Sequence, residues 1–186
     1  MEAMMQQGGA AAAAPPVDDG KMVNVLQTNY DRLESYAKNV SDSYPLANLF
    51  IGDSRLGCQS DADEQLILHI SFNEFVKLHS FKITEFNNGA DPDMNPTSIK
   101  LYVNRENLGF EDCNDIDPTQ EFDLCAADLK ESSDPIPLKF VKFQRVRSIT
   151  IFVEDNAGAD VTALGMLQMF GKPVLGTNMS EFKNQG

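Results

Sequence analysis

Three runs of alternating apolar residues constrain this chain most: Leu66, Leu68 and Ile70; Ile99, Leu101 and Val103; Ile149, Ile151 and Val153. A spacing of two puts each set on one face of an extended strand, and β-branched residues suit that pleated surface. Over 76–86 the parity slips. Val76 and Leu78 share one face and Phe81 and Ile83 the other, so a bulge near Ser80 is predicted. Turn-forming clusters such as Asn87-Asn88-Gly89, Asp91-Pro92-Asp93 and Asp155-Asn156-Ala157-Gly158 separate the runs. No long amphipathic helix alternates with them and no internal repeat occurs, so an all-β sandwich or barrel is the expected fold.

At 186 residues the chain is long enough for one self-sufficient core. Residues 1–22 read as a disordered low-complexity tail, because Gly8-Gly9, five alanines and Pro15-Pro16 offer nothing to bury. The expected domain is therefore 23–186, with a short helix or an irregular packed segment over 23–52. Met1 to Gln7 carries an early acid and no basic start, unlike a signal peptide. No apolar run approaches the roughly 18 residues of a membrane span.

The net charge is −13 and unevenly spread. Residues 53–135 hold 18 acids and 6 bases, whereas 136–147 hold four bases, Lys139, Lys142, Arg145 and Arg147, and no acid. A field of that sign repels phosphate backbones, so neither nucleic acid nor an anionic membrane is an expected partner. The basic segment reads first as the wet face of a strand and turn whose aromatic residues enter the core. It is also the one candidate patch for an acidic protein partner, if a turn after Gln144 gathers the four cations.

Three cysteines, Cys58, Cys113 and Cys125, form no Cys-x-x-Cys pair. That spacing suits a reducing compartment, the cytosol with the nucleus also open, and carries no dithiol active site or structural zinc. Asp91 to Asn95 mimics the start of a calcium loop, but Pro96 stands where the glycine hinge belongs and Tyr102 where the closing Glu does. Asp61, Asp63 and Glu64 could share a cation, yet they suit a turn or cap better. His69 and His79 both lie inside strand-like runs and are read as outward-facing. No nucleophile elbow, phosphate loop or His-Glu-x-x-His pattern occurs, so no catalytic residue, cofactor or metal is assigned.

Several blocks together resemble a known family. They are Ser60-Asp61-Ala62-Asp63-Glu64-Gln65-Leu66, Val76-Lys77-Leu78-His79-Ser80, and Ile99-Lys100-Leu101-Tyr102-Val103-Asn104. They continue through Pro137 to Gln144, Ser148 to Asn156, and Gly171-Lys172-Pro173-Val174 with Thr177-Asn178-Met179. Over roughly 46–183 the sequence resembles the PITH domain, the proteasome-interacting domain that follows thioredoxin in some proteins and stands alone in others. The resemblance implies a jelly-roll β-sandwich similar to galactose-binding domains, a non-catalytic interaction role, and association with the proteasome regulatory particle, with this chain closest to the stand-alone type; a monomer is the expected state. One block departs. Where the family usually reads Thr-Arg-Ile-Asp-Tyr, this chain has Thr162-Ala163-Leu164-Gly165-Met166, which loses the Arg, Asp and Tyr. Three other readings stay open: a small-ligand or carbohydrate-binding jelly roll, resting on fold analogy alone, a regulatory PITH protein without proteasome binding, and a hydrolase with no motif behind it.

Overall fold

The computed structural model describes residues 22–174. The tail expected over 1–22 lies outside the described residues except for Met22, and so does the motif at Thr177 to Met179. In chain order the strands are β1 (Val23–Asn24), β2 (Tyr30–Lys38), β3 (Cys58–Gln59), β4 (Leu66–Thr84) and β5 (Pro96–Val103). They continue with β6 (Gln120–Asp123), β7 (Ile136–Pro137), β8 (Val146–Asn156), β9 (Ala163–Leu164) and β10 (Met166–Pro173). Two short helices, α1 (Val25–Thr28) and α2 (Phe110–Asp115), interrupt them. No described helix is long and apolar enough to cross a membrane.

The organising element is β4. Its first part lies between β2 and β8, with Leu68 opposite both Ala37 and Ile151. Its last part lies between β10 and β7, with Phe81 opposite both Met169 and Ile136. The change of neighbours falls at Asn73 and Glu74, both exposed, where the strand turns the corner between two layers. β5 and β6 extend the first layer beyond β8, and β1 extends the second beyond β10. The three alternating runs supply the core from the first layer; Leu78, Phe81, Ile83, Leu167 and Met169 meet them from the second. The fold is the β-sandwich expected from the spacing.

The predicted bulge is present. Phe170 pairs with Ser80 and Gly171 with Leu78, so His79 is the extra residue on β4. Glycine is required at the partner position, because a Cβ on Gly171 would collide with the Lys77 carbonyl. The Ser60 to Leu66 block acts as a clasp. Buried Ser60 donates its hydroxyl to the Asp63 carbonyl and accepts the Thr162 amide at 2.8 Å, while the Thr162 hydroxyl donates to the Glu64 carbonyl at 2.7 Å. Its acids act as turn acceptors: Asp63 Oδ1 takes the Asn39 amide nitrogen at 2.8 Å and the Gln65 N–H at 3.1 Å.

Two expectations change. The 23–52 segment does contain a four-residue helix, but it is followed by β2, a nine-residue strand that the apolar pattern did not reveal. Its pairing with β4 breaks between Asp31 and Tyr36, where the Asp31 carboxylate accepts the N–H groups of Leu33 and Glu34. That inserted turn removes the alternation. His69 is also not outward-facing: it is 3% exposed. Tyr36 of β2 stacks on its ring, on a far side of the first layer that also carries a second apolar cluster. There, residues from Leu108 to Ile116 cover Ile67, Tyr102 and Phe152.

Candidate functional site

The basic segment begins as β7, whose Ile136 and Pro137 pair with Phe81 and Ser80. The Leu138 N–H then donates to the His79 carbonyl at 2.9 Å. A 3-10 turn follows over Phe140–Lys142, with Lys142 N–H bonded to the Lys139 carbonyl and Phe143 N–H to the Phe140 carbonyl. The Leu78 N–H closes the loop on the Phe143 carbonyl at 2.8 Å, and the Gln144 side-chain amide donates to the Phe140 carbonyl at 2.7 Å. The loop is thus tied at both ends to the residues flanking the His79 bulge.

Those ties correct the expectation that the aromatic residues of the segment all enter the core. Phe143 is fully buried, but Phe140 is 69% and Val141 79% exposed. The run is a turn and not a strand, so period-two parity does not sort its side chains. Two adjacent apolar residues held outward on a hydrogen-bonded turn form a feature that folding does not require. Beside them runs a groove of about 230 Å³, walled by Met22, Leu78, Phe140 and Gln144 and edged by Lys77, His79 and Lys172.

The four predicted patch residues fall into two pairs. Lys139 and Lys142 flank a shallow hollow that also contains Asp117 and Glu121. There the Lys139 N–H bonds Gln120 Oε1 at 2.9 Å, and the Lys142 ammonium reaches the Thr119 carbonyl at 3.5 Å. Arg145 and Arg147 turn toward Phe75 instead, their guanidinium carbons 4.1 and 5.8 Å from the ring centroid. Arg147 Nε also donates to the Phe72 carbonyl at 2.7 Å. The turn brings Lys142 to Lys139, while the start of β8 carries the arginines to the β4 corner. Sequence reasoning missed Lys77, His79 and Lys172 as companions of Phe140, because the β4–β10 pairing that assembles them joins positions about half the chain apart.

Buried polar chemistry gathers around His69. Its ring stacks on Tyr36, with centroids 4.7 Å apart and planes 16° from parallel, and its Nδ1 is 2.9 Å from Thr150 Oγ1. The Thr150 hydroxyl donates to the Arg105 carbonyl at 3.2 Å, so the imidazole carries its proton on Nδ1. Burial holds the imidazole pKa below its ordinary value; Glu106 and Glu34 work against that shift and Lys38 with it. Nearby, the Tyr102 hydroxyl donates to the Cys113 carbonyl at 2.8 Å, and burial raises its pKa. These are two separate contacts, one at His69 and one at Tyr102, and each ties a buried side chain into the fold. Among the described residues, no group of three or more His, Cys, Asp or Glu side chains is placed to hold a metal.

Comparison with known proteins agrees with this architecture. The sequence matches the PITH domain profile over residues 17–186. It is 39% identical over 138 residues to thioredoxin-like protein 1 of Schizosaccharomyces pombe, covering 73% of this chain and 47% of that protein. It is 32% identical over 114 residues to human PITH domain-containing protein 1, covering 61% of this chain and 51% of that one. The chain therefore spans about half the length of the curated relatives it matches. Among solved structures it resembles CBM32-3 from a Clostridium perfringens family 31 glycoside hydrolase, with TM-score 0.56, 14% identity, and 80% and 97% of the two chains covered. It also resembles the C-terminal domain of a Bacteroides fragilis chitobiase, with TM-score 0.58, 12% identity, and 83% and 99% covered. At such identities the likeness concerns the fold, a galactose-binding-like jelly roll. By sequence, this chain belongs to the PITH domain family.

Proposed function

We propose that this chain is a non-catalytic protein-interaction module that associates with the proteasome regulatory particle in the cytosol or nucleus. The family resemblance supplies the partner. The observation that carries the reading is the outward pair Phe140 and Val141, held on a turn fixed by backbone bonds to the His79 bulge. Exposed apolar side chains on a rigid turn beside cations suit a protein partner better than a small substrate. The sugar-binding names among the structural neighbours belong to proteins 11–14% identical to this one and do not transfer. Affinity purification of the tagged full chain, with regulatory-particle subunits quantified against a mock control, tests the reading. Enrichment of those subunits supports it, and their absence from the eluate overturns it.

A further inference from the structure

We propose that Phe75, Arg145 and Arg147 form a clamp for a phosphorylated serine or threonine on a partner's peptide segment. The inference goes beyond the interaction-module reading and concerns a different surface from the Phe140 turn. Val76 pairs with Val146 across β4 and β8, and both are fully buried. Their chain neighbours Phe75, Arg145 and Arg147 therefore point outward, and both arginines are exposed. The two guanidinium groups gather on one ring, their carbons 4.1 and 5.8 Å from the Phe75 centroid.

The pair is fixed before any ligand arrives. Asn104, at a left-handed φ of 58°, donates its side-chain amide to the Arg145 carbonyl at 3.0 Å. Its Oδ1 accepts the Arg147 and Ser148 N–H groups at 2.7 and 3.2 Å. Arg147 Nε is tied to the Phe72 carbonyl at 2.7 Å, and that is the one hydrogen bond either guanidinium makes to the described residues. No described carboxylate lies within ion-pair distance of Arg145 or Arg147. Glu74, beside Phe75 in sequence, instead accepts the Asn29 amide at 2.7 Å. Covering a ring with an arginine stem is ordinary packing, but it does not call for two unpaired forks in a chain of net charge −13.

The forks select the ligand. A guanidinium grips two oxygens side by side, so a single carboxylate is filled by one fork. A phosphomonoester offers three oxygens and close to two charges, enough for both forks at once. Nucleic acid or an anionic membrane would meet the negative field of the rest of the molecule, whereas one phosphate engages the pair alone. Val174 lies beside Phe75, its N–H bonded to the Phe75 carbonyl at 2.9 Å, and both side chains are half-buried. They offer an apolar shelf to the residues flanking the phosphate, so a peptide suits the site better than a free anion. Because the arginines are already held, binding orders little that was free.

The test titrates the isotope-labelled full chain with the capped peptide Gly-Leu-pSer-Leu-Gly, pSer being phosphoserine, and follows it by NMR. Saturable shifts are expected at the Arg145 and Arg147 Nε–H and Asn104 amide signals, with binding that weakens as salt rises. The same peptide with Ser or Asp at its centre, and inorganic phosphate, should each bind about tenfold or more weakly. Arg145→Lys and Arg147→Lys keep the charge and lose the fork, and each should weaken binding about tenfold. Both positions are exposed, so the melting midpoints should stay within about 4 °C. Phe140→Ala should leave peptide binding unchanged. Absence of saturable shifts, equal binding of the Ser or Asp peptide or of inorganic phosphate, or undiminished binding by both lysine variants would overturn the proposal. So would tighter binding of a thymidine oligonucleotide or of phosphatidylserine vesicles. Regulatory-particle enrichment is read with the same proteins. Enrichment without a phosphopeptide response overturns the clamp and leaves the module reading, whereas a phosphopeptide response without enrichment does the reverse.

Discussion

His69 and Thr150 face each other across β4 and β8, and imidazole Nδ1 lies 2.9 Å from the threonine hydroxyl. The contact explains how a histidine is accommodated at 3% exposure: one nitrogen is satisfied by Thr150 and one ring face by Tyr36.

This burial makes stability depend on pH. The folded state holds the imidazole pKa below its ordinary 6.5, chiefly by desolvation, so the unfolded chain takes up the proton first. Stability is therefore full above pH 6.5 and falls as pH drops from there toward the folded value. Thermal melts from pH 7.5 to 5 should show a declining midpoint, and His69→Gln should flatten that decline. An equal slope in both proteins would remove His69 as its source.

Two phenylalanines in one turn should behave oppositely. Phe143 is fully buried, so Phe143→Ala should cost about 3–5 kcal/mol. Phe140 is mostly exposed, and Phe140→Ala should stay within about 0.5 kcal/mol. Urea unfolding of the two variants measures the difference.

Reversing the predicted patch does not affect all its members alike. Arg145 lies over the Phe75 ring, so Arg145→Glu should lose about 0.5–1 kcal/mol of cation–π stabilisation. Lys139→Glu alters an exposed side chain, since the Gln120 bond there is made by the backbone N–H, and should leave the fold unchanged. Denaturation midpoints of the single variants separate these effects, and a stable Arg145→Glu protein would argue against the ring contact.

Gly165 sits where the family usually has Asp, and a Cβ there would run into the Glu85 carbonyl and lie 2.8 Å from the Ser54 carbonyl. Both obstacles are backbone. Gly165→Ala should therefore destabilise by about 1–3 kcal/mol, visible as a shifted urea midpoint.

Thiol reactivity should follow burial. Cys125 is exposed, while Cys58 and Cys113 are buried, and burial pushes the Cys58 thiol up to about 12. Mass spectrometry of the native protein treated with iodoacetamide at pH 8 should find Cys125 modified quickly and the other two only after unfolding.

Much of this architecture is legible in local order. The period-two runs at 66–70, 99–103 and 149–153 mark three core strands, because alternation places each apolar set on the face that meets the second layer. The parity slip before Phe81 marks the His79 bulge for the same reason. β2 is not legible, because the Asp31 turn inserted into it breaks the alternation. His69 appears outward-facing because the sequence shows which residues share a face, but not that β2 lays Tyr36 over the imidazole.

The sequence by itself determined the sandwich, the bulge, the acidic surface and the family, since each is written in neighbouring residues or in charge. Tertiary structure alone decided which cations meet. Lys77 and Lys172 lie 95 positions apart and become partners only through the β4–β10 register. Phe140 joins them only because the Leu138 amide finds the carbonyl of the bulged His79. Period and composition describe a chain along its length, whereas a surface groove is built across strands, where pairing register and a single hydrogen bond decide which side chains become neighbours.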